Sequence, residues 1–125
     1  MPEETQADGA ILVVDDDEAI LDVVADVLRF EGYPVETASD GVAALDVVER
    51  GRPALVLLDM RMPRLDGWGF ARTLRERGME LPILVMTAAR DAAGWAEEIG
   101  AQGYLAKPFD IGELLDAVRG SASPG

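Results

Sequence analysis

Ala54-Leu55-Val56-Leu57-Leu58-Asp59 sets five apolar residues in a row and ends them on a carboxylate. A strand with one wet face would alternate polar and apolar residues, so a short run that is apolar throughout reads as a strand buried on both faces. Working outward, residues 10–14 and 82–86 repeat the pattern, residues 34–38 form a shorter, half-polar version suited to a sheet edge, and residues 103–106 form the last. The stretches between them have helical period. Asp17 caps a helix whose apolar side is Ile20, Leu21, Val24, Val27 and Leu28, ended by Gly32, and Asp40 caps one through Ala44, Leu45 and Val48 to Gly51. A loop in which Asp66-Gly67 makes a turn leads to a helix carrying Phe70, Ala71 and Leu74, and a fourth helix covers residues 91–99. Asp110 and Glu113 form a capping box for a helix through Leu114, Leu115 and Val118. The fold class is α/β: a five-stranded parallel sheet with helices on both faces. Residues 10–120 make one domain, between a flexible N-terminal segment at 1–9 and a flexible tail at 121–125.

Composition narrows the chemistry. The 125 residues, 49% of them hydrophobic, suit a single core. No cysteine or histidine is present, which removes disulfides, thiolate and imidazole ligands, thiol nucleophiles and the commonest general base. The work falls to carboxylates, hydroxyls, arginine and lysine. A net charge of -13 opposes binding to nucleic acid or anionic lipid by this chain alone and favours a hard cation or a basic protein face. No apolar run is long enough to span a membrane, and Met1-Pro2-Glu3-Glu4 lacks the basic and apolar regions of a secretory signal, so the expected location is cytoplasmic. Of the eleven basic residues only Lys107 is lysine, which marks a place where a compact ammonium is wanted.

In an open parallel sheet, ligands collect outside the carboxyl ends of the strands. Asp15, Asp16 and Asp17 follow the first strand, Asp59 the third, Thr87 the fourth and Lys107 the fifth. Asp17 is accounted for as a helix cap; Asp15 and Asp16 are not. Adjacent carboxylates repel unless a cation lies between them, and such oxygen ligands suit Mg²⁺, an ion that often shares a phosphate. Asp59 is then a candidate nucleophile toward phosphorus, with Mg²⁺, Lys107 and Thr87 to neutralise the charge of the transition state.

Four segments carry a family resemblance: Ile11-Leu12-Val13-Val14-Asp15-Asp16-Asp17; Leu57-Leu58-Asp59-Met60-Arg61-Met62-Pro63 with Asp66-Gly67; Met86-Thr87-Ala88; and Gly103-Tyr104-Leu105-Ala106-Lys107-Pro108-Phe109. In that order the chain resembles a receiver domain of bacterial two-component response regulators, related to the chemotaxis regulator. The resemblance implies a flavodoxin-like strand order 2-1-3-4-5. It implies a phosphorelay switch rather than an enzyme: Asp59 takes a phosphoryl group from phosphohistidine on a sensor histidine kinase or histidine phosphotransfer protein, and the chain assists that transfer and its own dephosphorylation. It further implies that Asp16, Asp59 and the backbone carbonyl of Arg61 ligate Mg²⁺, with Asp15 acting partly through water. Thr87 and Lys107 contact the phosphoryl group, Tyr104 follows Thr87 inward, and the surface of helix four, strand five and helix five changes toward an unknown protein target. A cis peptide before Pro108 belongs to the same pattern.

Several residues fit two readings. Tyr104 suits a strand aromatic as well as a switch, and Lys107 a solvated surface residue as well as a phosphoryl ligand. Arg61 and Ala89 lie two positions beyond Asp59 and Thr87, beside the approach of a hydrolytic water. Alanine cannot orient that water, and a guanidinium either covers the phosphoryl oxygens or points into solvent, so a long-lived phosphoryl form is expected. The segment between Thr87 and Lys107 is short for the family, and Gly94 weakens its helix by about 1 kcal/mol, so helix four should be short or mobile. Without an effector domain in the sequence, the expectation is a stand-alone regulator. Asp15-Asp16-Asp17 also matches the Asp-x-Asp of haloacid dehalogenase phosphatases, but the chain is short for that fold. No GxxxxGK[ST] loop is present. A receiver-like module that signals without phosphorylation would be expected to have lost part of the acidic set, which here is complete.

Overall fold

The computed structural model describes residues 9–88 and 90–121. Five βα units follow one another: β1 Ile11–Val14, α1 Glu18–Phe30, β2 Val35–Ala38, α2 Gly41–Arg50, β3 Leu55–Asp59, α3 Gly67–Glu76, β4 Ile83–Thr87, α4 Ala92–Glu98, β5 Gly103–Ala106 and α5 Ile111–Ser121. The strands are all parallel and ordered 2-1-3-4-5, which puts β3 in the centre and the half-polar β2 at an edge, where the sequence pattern assigned them.

Side chains of successive strand residues point to opposite faces, so the fully apolar strands feed two cores. Leu12, Val14, Val56, Leu58, Ile83 and Val85 pack with α2, α3 and α4 on one face. Ile11, Val13, Leu55, Leu57, Leu84, Met86 and Leu105 pack with α1 and α5 on the other. Asp17 caps α1 through Ala19 and Ile20, Asp40 caps α2 through Ala43, and Asp110 and Glu113 exchange backbone N–H bonds of 2.8 and 2.9 Å as a capping box.

One expectation needs correction. Asp66-Gly67 does more than turn the chain: the Asp66 carboxylate accepts from Gly69 N and caps α3, while a Cβ at Gly67 would lie 2.5 Å from Met60 Sδ and 2.8 Å from Met60 Cα. The absent side chain is what lets α3 start directly against the end of β3. Regular structure runs from Ile11 at the start of β1 to Ser121 at the end of α5, and Gly9 donates to the Arg52 carbonyl. The expected flexible segments otherwise fall on residues outside those described.

Helix α4 is short, at seven residues, and the only residues it buries fully are Ala92 and Ala96. Its N-cap Asp91 makes no side-chain capping bond, and the Asp91 carboxylate occupies the space beside Gly94 that a Cβ would need. By contrast, α1 is thirteen residues long, is capped, and buries Leu21, Val24, Ala25 and Leu28. A buried Leu or Val contributes roughly 1.5–3 kcal/mol and a methyl-sized side chain well under half of that, so α4 is the more weakly held by several kcal/mol. Amide hydrogen exchange should therefore show residues 92–98 opening faster than residues 18–30, and equal protection in the two helices would contradict this account.

Candidate functional site

Strand register brings the predicted polar residues to one rim. Val14 is paired with Leu58, Asp59 with Met86, and Thr87 with Ala106. The residue after β1 and the last residue of β3 are thus level, and Thr87 and Lys107 stand just above them. Asp15, Asp16 and Asp59 each offer a carboxylate oxygen, all within 4.8 Å of one another. Asp15 and Asp59 are buried and Asp16 is exposed.

The hydrogen bonds distinguish the three. Both oxygens of Asp15 are engaged: Oδ1 accepts from Asp17 N at 2.9 Å and Oδ2 from Lys107 Nζ at 2.6 Å. Lys107 Nζ stands farther from Asp59 Oδ1, at 3.9 Å. Asp16 and Asp59 are therefore the less occupied toward a ligand, whereas Asp15 holds the ammonium in place. Three carboxylates against one ammonium leave two negative charges at the rim. A pair of like charges at this spacing repels by roughly 3 kcal/mol at the effective dielectric of a protein surface.

Asp59 registers that repulsion. Its burial, followed by the charges of Asp15 and Asp16, pushes its pKa from an ordinary 3.8 up to about 6, against the pull of Lys107 and of the Arg61 backbone N–H. The donor set fits a hard divalent cation: oxygen ligands only, uncompensated charge of two, and an exposed side from which an ion with its own waters can enter. Asp59, Arg61, Thr87, Ala88 and Lys107 line a pocket of about 360 Å³ beside the cluster. A larger cavity, about 540 Å³, lies at the other end of the sheet around Met79 to Ile83, away from the three carboxylates.

The family model for the response regulator receiver domain matches residues 11–119, from the first residue of β1 to the last turn of α5. The chain belongs to the response regulator receiver domains. The receiver is 50% identical over 112 residues to the response regulator MprA of Mycobacterium sp. (strain KMS), a match covering 87% of this chain and 48% of that protein. It is 49% identical over 112 residues to MprA of Mycobacterium leprae (strain TN), covering 87% and 49%. The chain thus spans about half the length of the curated relatives it matches. Among solved structures it is similar to chemotaxis protein CheY4 of Vibrio cholerae, at a TM-score of 0.82 and 32% identity over 92% of this chain and 99% of that one. The receiver domain of NtrX from Brucella abortus gives a TM-score of 0.80 at 34% identity, covering 87% and 94%.

Other sequence-picked residues of the receiver are placed as follows. Thr87 is buried at the end of β4, and its carbonyl accepts from Lys107 N at 2.9 Å. Tyr104 is 49% exposed, so it is no part of the core. The Lys107–Pro108 peptide is cis. Arg61 is exposed, and its Cζ lies 5.2 Å from the centroid of the Trp95 ring. Ala89 lies outside the described residues. Among the described residues no helix is long and apolar enough to cross a membrane.

Sequence reasoning missed the support of the β3–α3 loop. Arg64, at a left-handed φ of 67°, pairs with the second oxygen of the buried Asp40. Gly41 N donates to the Leu65 carbonyl at 3.0 Å, and a Cβ on Gly41 would meet that oxygen at 2.3 Å. These contacts fix the loop that contains Arg61. A cap residue and a surface arginine 24 positions apart carry no pairwise signal in one sequence.

The raised pKa of Asp59 makes a signed prediction. Below pH 3.8 the carboxyl is neutral in folded and unfolded chains alike; between 3.8 and about 6 the folded protein binds more protons, and stability falls as pH rises through that window. The full penalty is roughly 3 kcal/mol. In metal-free protein at pH 8, Asp59→Asn should raise the urea midpoint, and near pH 4 the two proteins should converge. Equal midpoints at pH 8 would mean that the Asp59 carboxylate is not held against its neighbours.

Proposed function

We propose that this receiver is a phosphorylation-dependent switch of a two-component phosphorelay, in which Asp59 takes a phosphoryl group from phosphohistidine on a sensor histidine kinase or histidine phosphotransfer protein. The observation that carries this reading is the convergence of Asp59 with Asp15, Asp16 and Lys107 at the rim of the sheet, with Asp59 on the wall of an open pocket.

Mg²⁺ would be held by Asp16, Asp59 and the backbone carbonyl of Arg61, with Asp15 acting partly through water. When bound, it neutralises carboxylate charge and the charge of the transferring phosphoryl group. The rest falls to the chain itself. One Asp59 oxygen attacks phosphorus in line, the P–N bond to histidine breaks, and a P–O bond forms as the imidazole leaves with its electron pair. Lys107 is near enough to exchange Asp15 for the phosphoryl oxygens, since its Nζ lies 2.6 Å from one carboxylate and 3.9 Å from the other. Thr87, at the end of β4 and on the wall of the same pocket, supplies a hydroxyl donor.

The output follows from the same attachments. Lys107 and Tyr104 belong to the last strand and the turn after it, so an ammonium drawn toward Asp59 and a Thr87 hydroxyl turned toward the phosphoryl group pull on β5. Tyr104, half exposed, has room to move inward. The affected face is that of α4, β5 and α5, where a downstream protein target would bind. The chain acts as a phosphoacceptor that assists its own phosphorylation and dephosphorylation, not as an enzyme on a separate substrate. Its expected place of work is the cytoplasm, where such kinases present their phosphohistidine.

Treatment with acetyl phosphate or phosphoramidate and Mg²⁺ should add one phosphoryl group, found on Asp59 by mass spectrometry; labelling that survives Asp59→Asn, or that ignores chelation of the metal, would reject the site. In Lys107→Ala, labelling should persist at a lower rate while the accompanying spectral change weakens. A parent-like spectral change in that variant would leave Lys107 with a structural role only.

A further inference from the structure

Arg61 stands between two partners. Arg61 lines the pocket with Asp59, Thr87 and Lys107, and its guanidinium lies over the Trp95 ring at 5.2 Å. Trp95 belongs to α4 and meets Trp68 of α3 edge to face, with centroids 4.7 Å apart and planes at 66°. Trp68 Nε1 in turn donates to Glu98 Oε1, at the far end of α4, at 2.9 Å. A seven-residue helix that buries only two alanines fully and has no side-chain cap is thus held to the pocket rim by an aromatic pair topped with a cation. Among the described residues no carboxylate forms an ion pair with Arg61.

We propose that Arg61 is a two-position latch: in the unphosphorylated chain it rests on Trp95 and holds α4 against the rim, and a phosphoryl group on Asp59 draws it off the ring and loosens α4. The inference rests on Asp59 being the phosphoacceptor. A charge-assisted guanidinium–phosphoryl pair is stronger than a guanidinium–ring contact at a partly wet site, so the equilibrium between the two positions changes sign when the phosphoryl group arrives. Helix α4 depends on the stacked guanidinium more than a longer helix would, because its buried face is so small. Lys107 and Thr87 act on β5; Arg61 acts separately, on the helix before it.

The two tryptophans report the latch directly. Trp68→Phe keeps an aromatic edge against α4 and leaves Trp95 as the single tryptophan, excited selectively over the two tyrosines. In that background, acetyl phosphate with Mg²⁺ should raise acrylamide quenching of Trp95 and shift its emission to the red, while Mg²⁺ alone should do neither. Phosphoryl occupancy of Asp59 is measured by mass spectrometry on the same samples. Arg61→Ala should show the quenched, red-shifted state from the start. Arg61→Met, which still packs on the ring but has no charge, should stay unquenched at the same phosphoryl occupancy. Absence of phosphoryl on Asp59 in the parent would overturn the switch reading itself. Full occupancy with no Trp95 response, a complete response to Mg²⁺ alone, or a parent-like response in Arg61→Met would overturn the latch and leave the phosphoacceptor standing.

Discussion

Mutual repulsion among Asp15, Asp16 and Asp59 is the constraint to which this end of the molecule answers. The parallel register sets two carboxylates level on adjacent strands, and burial denies them the water that would screen them. Lys107 offsets one charge, bonded to Asp15 at 2.6 Å and standing 3.9 Å from Asp59. What is left is a preorganised deficit of positive charge, of the kind a divalent cation can fill. The chain's avoidance of histidine and cysteine fits this economy, since every functional atom at the rim is an oxygen or an ammonium nitrogen.

Holding such charges requires a stiff loop, and the stiffness comes from residues with no chemical part of their own. Gly67 lets α3 begin against Met60, Gly41 lets α2 begin against Leu65, and the Asp40–Arg64 pair ties the two connections together. A left-handed arginine is uncommon, and here the side chain that the conformation presents is bound to a buried carboxylate, which offsets the backbone cost. The rim is therefore rigid on its β3 side and soft on its α4 side, where the packing is two alanines and an indole pair.

Much of this was legible in the sequence. Strand identity came from uninterrupted apolar runs, and helix starts came from Asp17, Asp40, Asp110 and Glu113, because both signals are local and each has one physical cause. The gathering of Asp15, Asp16, Asp59, Thr87 and Lys107 was legible for a topological reason: parallel strands deliver their C-terminal residues to one edge whatever the details of packing. The contribution of Asp66-Gly67 to packing was missed because it depends on how close Met60 comes, a distance no pattern encodes. The same holds for Arg64 on Asp40 and Arg61 on Trp95, where long side chains choose partners across the fold.

The Asp15–Lys107 pair joins positions 92 residues apart, nearly the whole described chain. The acidic cluster is encoded in the first half of the sequence and its ammonium in the last fifth, so during synthesis the three carboxylates emerge well before their counter-charge. Until β5 docks beside β4, the rim has neither Lys107 nor the turn that presents it. A ribosome-bound fragment that already contains Asp59 thus lacks a finished pocket, and the Asp15–Lys107 pair forms only with the last βα unit of the receiver.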